Sequence, residues 1–421
     1  MMNLLHRFQP FRSHLAFFCC CLTVLGLLCS KFLLSVALFG LLATAFVNTN
    51  LRADAAAFFR RPEFLAPVLL FLFIAVSGVY CSDTTSWLEQ MRLKLPFLGL
   101  PITFALLPKF TEKQYRGVFF VTTFLVTVTA LSTLLYYYTH LEAASLAVKR
   151  GEVAVEPRLA WHKPIHHIRF NLLLLIALLP SIYIIIKKYI FYYKTEKYFL
   201  ILSSAILFYT LHLLAVRTGI LAFYFGVLVL FIQYIIQEKK YLLGIFLGFC
   251  AVLLPIISYY TLPSFREKIE HSRYEFGEYK DKNIANNSTA ERIISIKTGL
   301  KIGNENPIFG VGIGDVEQLC RAVYQRDYPW LQVKTPHNQW VFQYAGGGIL
   351  GIIIFGFGLF FPLFYKKNYN ETLFLLFYSV MSVALMTEGL LETSEGVAFV
   401  VLFLSLGLNY LRSDDNKLYL S

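Results

Sequence analysis

Charged residues are scarce in this sequence. Asp, Glu, Lys and Arg make up 15% of the 421 residues, whereas they make up roughly 25% of ordinary soluble domains. Hydrophobic residues account for 57% of the chain, and the mean hydropathy is +0.58. So few charges cannot cover the surface of a soluble domain of this size. The composition therefore excludes a wholly soluble enzyme and predicts a membrane protein.

Cysteine patterns that bind metals or carry redox chemistry are also missing. The seven cysteines include no CxxC pair and no Cys/His ligand spacing, and most of them lie within apolar runs. They are expected to be small packing residues, and neither a disulfide framework nor a bound metal or other cofactor is expected. The first apolar stretch runs into a second one without a small-residue cleavage pattern, so no cleavable signal peptide is expected.

Long apolar stretches are abundant instead. About 17 to 25 apolar residues are needed to cross the roughly 30 Å hydrocarbon layer of a membrane. We place such stretches at 14–29, 32–48, 64–81, 96–108, 117–138, 169–186, 199–215, 218–236, 241–260, 346–365, 371–390 and 396–410. The sequence therefore predicts an all-α, polytopic membrane protein with about twelve transmembrane helices.

The distribution of Lys and Arg predicts how these helices are oriented. If the N-terminus is cytoplasmic, the inner short loops hold fourteen Lys and Arg, and the outer short loops hold four. Those four are Lys31, Arg92, Lys94 and Arg217. The positive-inside bias then places both termini in the cytoplasm and the loops 139–168 and 261–345 outside. The same bias explains the net charge of +12, so nucleic acid is not expected as a partner.

This topology divides the chain into three parts. Residues 1–260 hold nine predicted transmembrane helices, residues 261–345 form one large outer loop, and residues 346–421 hold the last three helices and a cytoplasmic tail. The large loop contains a helix signal, because Ser288 and Glu291 have the spacing of a capping box and Arg292 follows in the first turns. The glycine-rich turn 306–314 then ends this helix. It resembles a dinucleotide fingerprint, but no strand precedes it, which disfavours that reading.

The stretch KTPHNQWVFQYAGGG at 334–348 places polar residues directly ahead of a predicted membrane helix. Thr335 suits the N-cap and Pro336 the first helical position, which puts His337 and Asn338 in the first turn. The positive end of a helix dipole disfavours imidazolium, so His337 is expected to stay neutral and able to act as a general base. The glycines at 346–348 would let an anion approach the helix end.

Two further polar features lie at the outer surface. Arg217, between the seventh and eighth stretches, has no acidic partner nearby in sequence, and a lipid phosphate would serve as its counter-ion. In the basic segment 158–169, His162 and His166 have a zinc-like spacing, but Pro164 disfavours a helix there and no acidic or thiol ligand is adjacent. Contact with anionic lipid headgroups is the favoured reading. His167 and Arg169 are candidates for lining the site.

These motifs, in this order, resemble the O-antigen ligase and polymerase superfamily, and the ligases most closely. The matching motifs are Arg217-Thr218-Gly219, Ser288 to Arg292, Pro307 with Gly310 to Gly314, His337-Asn338 with Gly346 and Gly348, and Glu388 to Glu392. The resemblance covers roughly residues 165 to 410. It implies an inner-membrane glycosyltransferase with one large periplasmic loop containing helices, and an enzyme that needs neither a metal nor a nucleotide.

The resemblance also implies roles for individual residues. Arg217 and Arg292 would hold the diphosphate of an undecaprenyl-diphosphate-linked glycan, and His337 would deprotonate the acceptor hydroxyl. Asn338 follows His337 in the same motif and is a substrate-binding candidate, as are His167 and Arg169. Glu388 and Glu392 match an acidic position. In ligases the acceptor is a sugar of the lipid A core. Fixed cations would stabilise the charge that develops on the leaving diphosphate, and a base on the opposite face of the sugar predicts inversion of the anomeric carbon.

Other functions remain open at this stage. A repeat-unit polymerase uses the same donor with a lipid-linked glycan as acceptor, and a protein O-oligosaccharyltransferase uses a protein. A flippase for lipid-linked glycans is the alternative outside the enzymes. Transporters commonly carry charged residues at the midplane of several helices, whereas the predicted spans here are nearly free of charge.

Overall fold

The computed structural model describes residues 11–149, 152–159, 163–190, 193–236, 239, 241–280 and 288–412. Within these ranges the regular elements are helices and no strand occurs, which confirms the predicted all-α class. The α-helices are α1 (Arg12–Cys29), α2 (Lys31–Phe46), α3 (Leu51–Phe58), α4 (Pro62–Ser77), α5 (Thr84–Lys94), α6 (Pro96–Leu106), α7 (Glu112–Thr139), α8 (Leu141–Lys149), α9 (His167–Ile186), α10 (Glu196–Leu214), α11 (Arg217–Ile236), α12 (Tyr241–Thr261), α13 (Pro263–Lys280), α14 (Ser288–Glu305), α15 (Val316–Asp327), α16 (Gln339–Phe364), α17 (Thr372–Thr387) and α18 (Ser394–Leu411). Short 3₁₀ helices cover Tyr365–Asn370 and Leu390–Glu392.

Each of the twelve predicted apolar stretches is largely helical, but the number of spans differs from the prediction. In the described part of the chain, eight helices are long and apolar enough to cross a membrane, or nine if the pair α2 and α3, bent by 110°, is one span. Helices α4 and α17 have 16 residues each and α6 has 11. A helix rises about 1.5 Å per residue, so these three are shorter than a hydrocarbon layer of about 30 Å.

Helices α9 and α18 form the centre of the bundle. In each of them 78% of the apolar span is buried within the chain, compared with 12% in α12. Both helices are apolar on all sides, as expected for helices enclosed by other helices. Helix α9 packs against α7, α10, α11 and α17, and α18 packs against α6. The candidate site lies where the ends of α9, α11, α17 and α18 meet the segment between α12 and α16.

The described residues 263–280 and 288–338 belong to an insert that carries α13, α14 and α15. Its glycine-rich turn packs onto α16: the N–H of Val311 donates to the carbonyl of Ala345 at 3.0 Å, and the N–H of Ile349 donates to the carbonyl of Pro307 at 2.8 Å. Helix α16 is interrupted at Gly348, where φ is 60° and ψ is −156°. A side chain at Gly348 would collide with the backbone of residues 308–309. The glycines at 346–348 therefore receive the turn, and the prediction that they admit an anion is wrong.

Candidate active site

Glu388 lies at the centre of the candidate site. It follows directly after α17, and its side chain is 9% exposed. Its Oε1 accepts hydrogen bonds from Arg292 Nη2 at 2.7 Å and from Thr218 Oγ1 at 3.2 Å. Its Oε2 lies 3.2 Å from Nδ1 of His337. One carboxylate therefore joins the start of α11, the first turns of α14 and the segment before α16.

The surroundings of Glu388 keep it ionised. Burial by itself raises the pKa of Glu388, but the hydrogen bond with His337 and the charge of Arg292 outweigh burial and hold the pKa below its ordinary value. An ionised carboxylate can only accept hydrogen bonds, so in a neutral His337 ring the proton is on Nδ1. Nε2 then keeps a lone pair, and it is the atom that can take a proton from a substrate hydroxyl.

Helix α14 fixes the backbone at His337. The N–H of His337 donates to Oγ of Ser295 at 3.1 Å, and the Ser295 hydroxyl donates to the carbonyl of Arg292 at 2.8 Å. Ser295 is buried on the face of α14 that packs against α16. Ser295 therefore holds His337, which carries the imidazole, at a constant distance from Arg292, which carries a guanidinium.

Asn338 is the N-cap of α16, so the predicted start at Thr335 and Pro336 is wrong. Its Oδ1 accepts hydrogen bonds from two of the free N–H groups in the first turn, at 2.9 and 3.1 Å. Its Nδ2 donates to the carbonyl of Met386 at 2.9 Å. His337 therefore precedes the helix rather than lying in its first turn, and its direct partner is a carboxylate. Both polar atoms of the Asn338 side chain hold backbone groups, and Asn338 lines neither cavity described below.

Arg217 begins α11 and has an acidic partner that no local sequence pattern indicates. Its Nη2 donates to Glu275 at 2.6 Å, and its Nη1 donates to the hydroxyl of Thr289 at 2.8 Å. Glu275 belongs to α13, and its side chain is 4% exposed. The expectation that a lipid phosphate is the counter-ion of Arg217 is therefore wrong, because the protein supplies a carboxylate.

The predicted capping box at the start of α14 is also wrong. The N–H and the hydroxyl of Ser288 both donate to Oε1 of Glu275, at 2.8 and 2.7 Å. Glu291 is paired with Lys334 instead of reaching back to the helix start. A carboxylate from another helix thus takes the place of the local cap.

Two adjoining cavities meet at these side chains. The cation cavity has a volume of about 500 Å³, and the histidine cavity has a volume of about 670 Å³. The predicted site residues divide between them: Arg217, Arg292 and His167 line the cation cavity, whereas His337, Glu388, Glu392 and Arg169 line the histidine cavity. Ile168 lines both cavities, and the bond between Arg292 and Glu388 connects their walls.

The two candidates at the start of α9 face different cavities because neighbouring residues point to different sides of a helix. Nδ1 of His167 lies 3.0 Å from Glu156, and Arg169 Nη1 donates to Glu395 at 2.6 Å. The His166 ring stacks on His167 with centroids 4.6 Å apart. His162, the other residue of the zinc-like spacing, lies outside the described residues. Among those described, no group of three His, Cys, Asp or Glu side chains is placed to hold a metal ion.

Glu392, which lines the histidine cavity, is paired with a buried lysine. Lys94 Nζ lies 3.0 Å from Glu392, and the Lys94 side chain is 2% exposed. Gln339 Nε2 also donates to Glu392 at 2.9 Å. Lys94, which the loop count above treats as an outer charge, is therefore a buried partner of a cavity residue.

Three charged residues at the site had no sequence signal. Lys268 lines the cation cavity, Glu275 holds Arg217, and Glu395 holds Arg169. Glu275 lies 58 residues from Arg217 along the chain, and Glu395 lies 226 residues from Arg169. No periodicity or short motif connects positions so far apart.

A family model described as O-antigen ligase matches residues 202–356. This range includes Arg217, Arg292, His337 and Asn338, and it confirms the family resemblance predicted from the motifs. Glu388, Glu392, His167 and Arg169 lie outside the matched range. A comparison with curated proteins gives no match for the chain.

Proposed function

We propose that this chain, whose residues 202–356 match the O-antigen ligase family, is a glycosyltransferase of the bacterial inner membrane. It transfers a glycan from undecaprenyl diphosphate to a hydroxyl group of the lipid A core sugars. The Lys and Arg distribution supports cytoplasmic termini, with the loops 139–168 and 261–345 and the active site on the periplasmic side. The energy for transfer is stored in the lipid-linked diphosphate, so the proposed reaction uses no nucleotide. Arg217 and Arg292 supply the positive charge at the diphosphate that a metal ion would otherwise supply.

The observation that carries this proposal is the chain of contacts from Arg292 through Glu388 to His337. The Glu388 carboxylate binds both the Arg292 guanidinium, which faces the cation cavity, and the His337 imidazole, which faces the histidine cavity. A transferase needs a site for charge on the leaving group next to a site for the acceptor and its base. The cation cavity supports the first role and the histidine cavity supports the second.

In the proposed reaction the acceptor hydroxyl lies in the histidine cavity. Nε2 of His337 takes its proton, and the oxygen forms a bond with the anomeric carbon of the donor sugar. The bond from that carbon to the diphosphate oxygen breaks, and its electron pair stays on the prenyl diphosphate. Arg217 and Arg292 stabilise this charge, while Glu388 stabilises the imidazolium, which later releases its proton to water. A single displacement of this kind inverts the anomeric carbon.

The positions of the charged side chains favour an enzyme over a flippase. A flippase carries polar or charged side chains at mid-membrane depth on several helices. Here the charged contacts of the site lie at helix ends: Arg217 begins α11, Glu388 follows α17, and Arg169 lies in the first turn of α9.

The test is transfer by the purified full-length chain in detergent, with a lipid-linked glycan and lipopolysaccharide that lacks O-chain as the two substrates. We expect glycan attached to the lipid A core in the presence of a metal chelator and without nucleotide. His337→Ala should lose transfer by about a thousandfold, the scale of general base catalysis. His14→Ala is the matched control, because His14 is an exposed histidine of α1 outside the site.

The products separate the alternatives. Glycan joined to a second lipid-linked glycan identifies a polymerase, and glycan joined to an added protein identifies a protein O-oligosaccharyltransferase. In detergent there is no membrane to cross, so donor and acceptor can meet without a flippase. Full-rate transfer by His337→Ala would therefore refute the base assignment, and a product that keeps the anomeric configuration of the donor would refute inversion.

A further inference from the structure

We infer that Glu275 is a positioning residue for the diphosphate site, and that it holds Arg217 in the orientation in which its guanidinium faces the cation cavity. The inference rests on the proposed function, because prenyl diphosphate is the ligand for which Arg217 is held. Glu275 itself does not line the cavity, whereas Arg217 does. Glu275 therefore acts through Arg217.

The Glu275 carboxylate accepts hydrogen bonds from Arg217, Ser288 and Thr289. Oε2 accepts from Arg217 Nη2 at 2.6 Å and from the Thr289 hydroxyl at 2.7 Å. Oε1 accepts from the N–H and the hydroxyl of Ser288, at 2.8 and 2.7 Å. Arg217 Nη1 donates to the same Thr289 hydroxyl, which closes a ring of three side chains. Both terminal nitrogens of Arg217 are thereby tied to fixed groups, one directly and one through Thr289.

These contacts indicate that Glu275 holds Arg217 at all times and does not release it when a substrate binds. A carboxylate that is 4% exposed and holds these donors cannot be exchanged for a substrate phosphate without leaving those donors unsatisfied. The contacts also join three helices, because Arg217 begins α11, Glu275 lies in α13 and Thr289 lies in the first turn of α14. The position of the guanidinium is thus set by the packing of the insert onto the membrane helices.

A fixed guanidinium binds phosphate better than a mobile one. An arginine side chain has several rotatable bonds, and each bond that is ordered on binding reduces affinity. With Nη1 and Nη2 already held, one N–H on each terminal nitrogen remains for a ligand in the cavity. A phosphate that accepts from these groups meets an arginine that is already in place, so the ordering cost is met when the protein folds.

The experiment measures binding of geranylgeranyl diphosphate to the purified full-length chain by calorimetry. Glu275→Gln keeps the side-chain shape, but one of its terminal atoms becomes an NH₂ group that meets two hydrogen-bond donors. Arg217 then loses its support. We expect about tenfold weaker binding, the loss that follows from one misaligned charge-assisted hydrogen bond. Glu270→Gln is the matched control, because Glu270 lies on the same helix and holds Tyr259 instead of a cavity arginine.

The double variant Arg217→Ala/Glu275→Gln tests whether Glu275 acts through Arg217. If it does, the double variant binds no more weakly than Arg217→Ala alone. A purely structural role would instead give losses of affinity that add. If Glu275→Gln does not fold, Thr289→Val removes the link to Arg217 Nη1 and should weaken binding a few-fold.

Each outcome bears on the inference. Binding by Glu275→Gln that equals or exceeds the wild-type affinity overturns it, and so do additive losses in the double variant. In either case wild-type glycan transfer would still support the proposed function. A wild-type chain that binds no geranylgeranyl diphosphate and transfers no glycan overturns both.

Discussion

Each of the two cavities depends on a buried glutamate: Glu388 lines the histidine cavity, whereas Glu275 lies behind Arg217 of the cation cavity. The two carboxylates have different kinds of partner. Glu275, behind the cation cavity, accepts hydrogen bonds from a guanidinium, two hydroxyls and one backbone N–H, none of which changes charge near neutral pH. The His271 imidazole is also near, but its Nδ1 lies 3.8 Å from Oε2 of Glu275, beyond hydrogen-bond distance. Glu388, in the histidine cavity, is shared between Arg292 and His337, and His337 is the group proposed to take a proton during transfer. The first carboxylate therefore supports a constant geometry, and the second is coupled to proton transfer.

The supports of the two carboxylates differ as well. Glu275 lies within α13 of the insert, and its contacts depend on how the insert packs. Glu388 lies in the short connection between α17 and α18, which are among the most buried helices described. Perturbing Glu388 should therefore affect both cavities at once, whereas perturbing Glu275 should affect the cation cavity alone.

The largest effect is expected from Glu388→Gln. The change removes the negative charge that pairs with Arg292 and that stabilises the imidazolium of His337. We expect kcat for glycan transfer to fall by about 10² to 10³, the range for losing support of a catalytic base or of a charged site. The donor KM should also rise, because Arg292 loses its partner. Steady-state kinetics with lipid-linked glycan measure both values.

Glu371→Gln is the control for Glu388→Gln. Glu371 is a half-buried glutamate at the other end of α17, and it accepts hydrogen bonds from Tyr115 and from the N–H of Phe374. It touches neither cavity. If the Glu371 variant lost kcat as strongly as the Glu388 variant, the loss would not be specific to the site. If Glu388→Gln changed the donor KM alone, Glu388 would not be coupled to proton transfer and would resemble Glu275.

A second prediction concerns the backbone of α16, the helix that begins directly after His337 and Asn338. Gly348 has a combination of φ and ψ that is essentially restricted to glycine, and a Cβ there would collide with the turn at residues 308–309. Gly348→Ala should lower the unfolding midpoint by roughly 3 to 5 °C, which corresponds to about 3 kcal/mol in a chain of this length. Gly356→Ala, in the same helix, meets Trp340 only at an ordinary 3.5 Å and should leave the midpoint almost unchanged. Equal midpoints for the two variants would contradict this account of the break in α16.

The fold could be predicted from the sequence wherever one physical property decided it. Apolar runs predict helices because a buried backbone must satisfy its own hydrogen bonds, and all twelve runs are largely helical. The number of spans could not be predicted in the same way. Pro62 and Pro96 begin helices that then have only 16 and 11 residues, and hydropathy averaged along the chain does not detect where a helix starts.

The site was predictable in its residue types but not in its pairing. Arg217, Arg292 and His337 stood out because polar groups at the ends of apolar helices need a reason to be there. Their partner acids come from positions that are distant in the chain, and the contacts depend on how the helices pack. The start of α16 could not be predicted from the local sequence either, because Thr335 and Asn338 both suit an N-cap. The bond from Asn338 to Met386, which depends on helix packing, is one contact that favours Asn338.

The contribution of the Glu275 charge to stability can be tested by varying the pH. The pKa of Glu275 is lowered to about 2: burial alone would raise it, but the hydrogen bonds from Arg217, Ser288 and Thr289 outweigh burial. The ordinary value is 4.5, so the stabilisation is complete above that pH and is lost as the pH falls toward about 2. Wild type should therefore have a higher unfolding midpoint than Glu275→Gln at pH 6, and the difference should shrink between pH 4.5 and pH 3. A difference that does not depend on pH would show that the charge of Glu275 does not contribute.

The smallest effect is expected from Asn338→Ala, which separates capping from substrate binding. Both polar atoms of Asn338 hold backbone groups, so its loss should cost about 1 kcal/mol of stability and lower the unfolding midpoint by about 1 °C. The donor and acceptor KM values should stay within about twofold, because Asn338 lines neither cavity. Asn338→Asp keeps an oxygen that caps α16, but its second oxygen faces the carbonyl of Met386, so it should recover only part of the lost stability. If Asn338→Ala raised the acceptor KM tenfold at an unchanged midpoint, the side chain would belong to the histidine cavity, and the predicted substrate-binding role would stand in place of the cap.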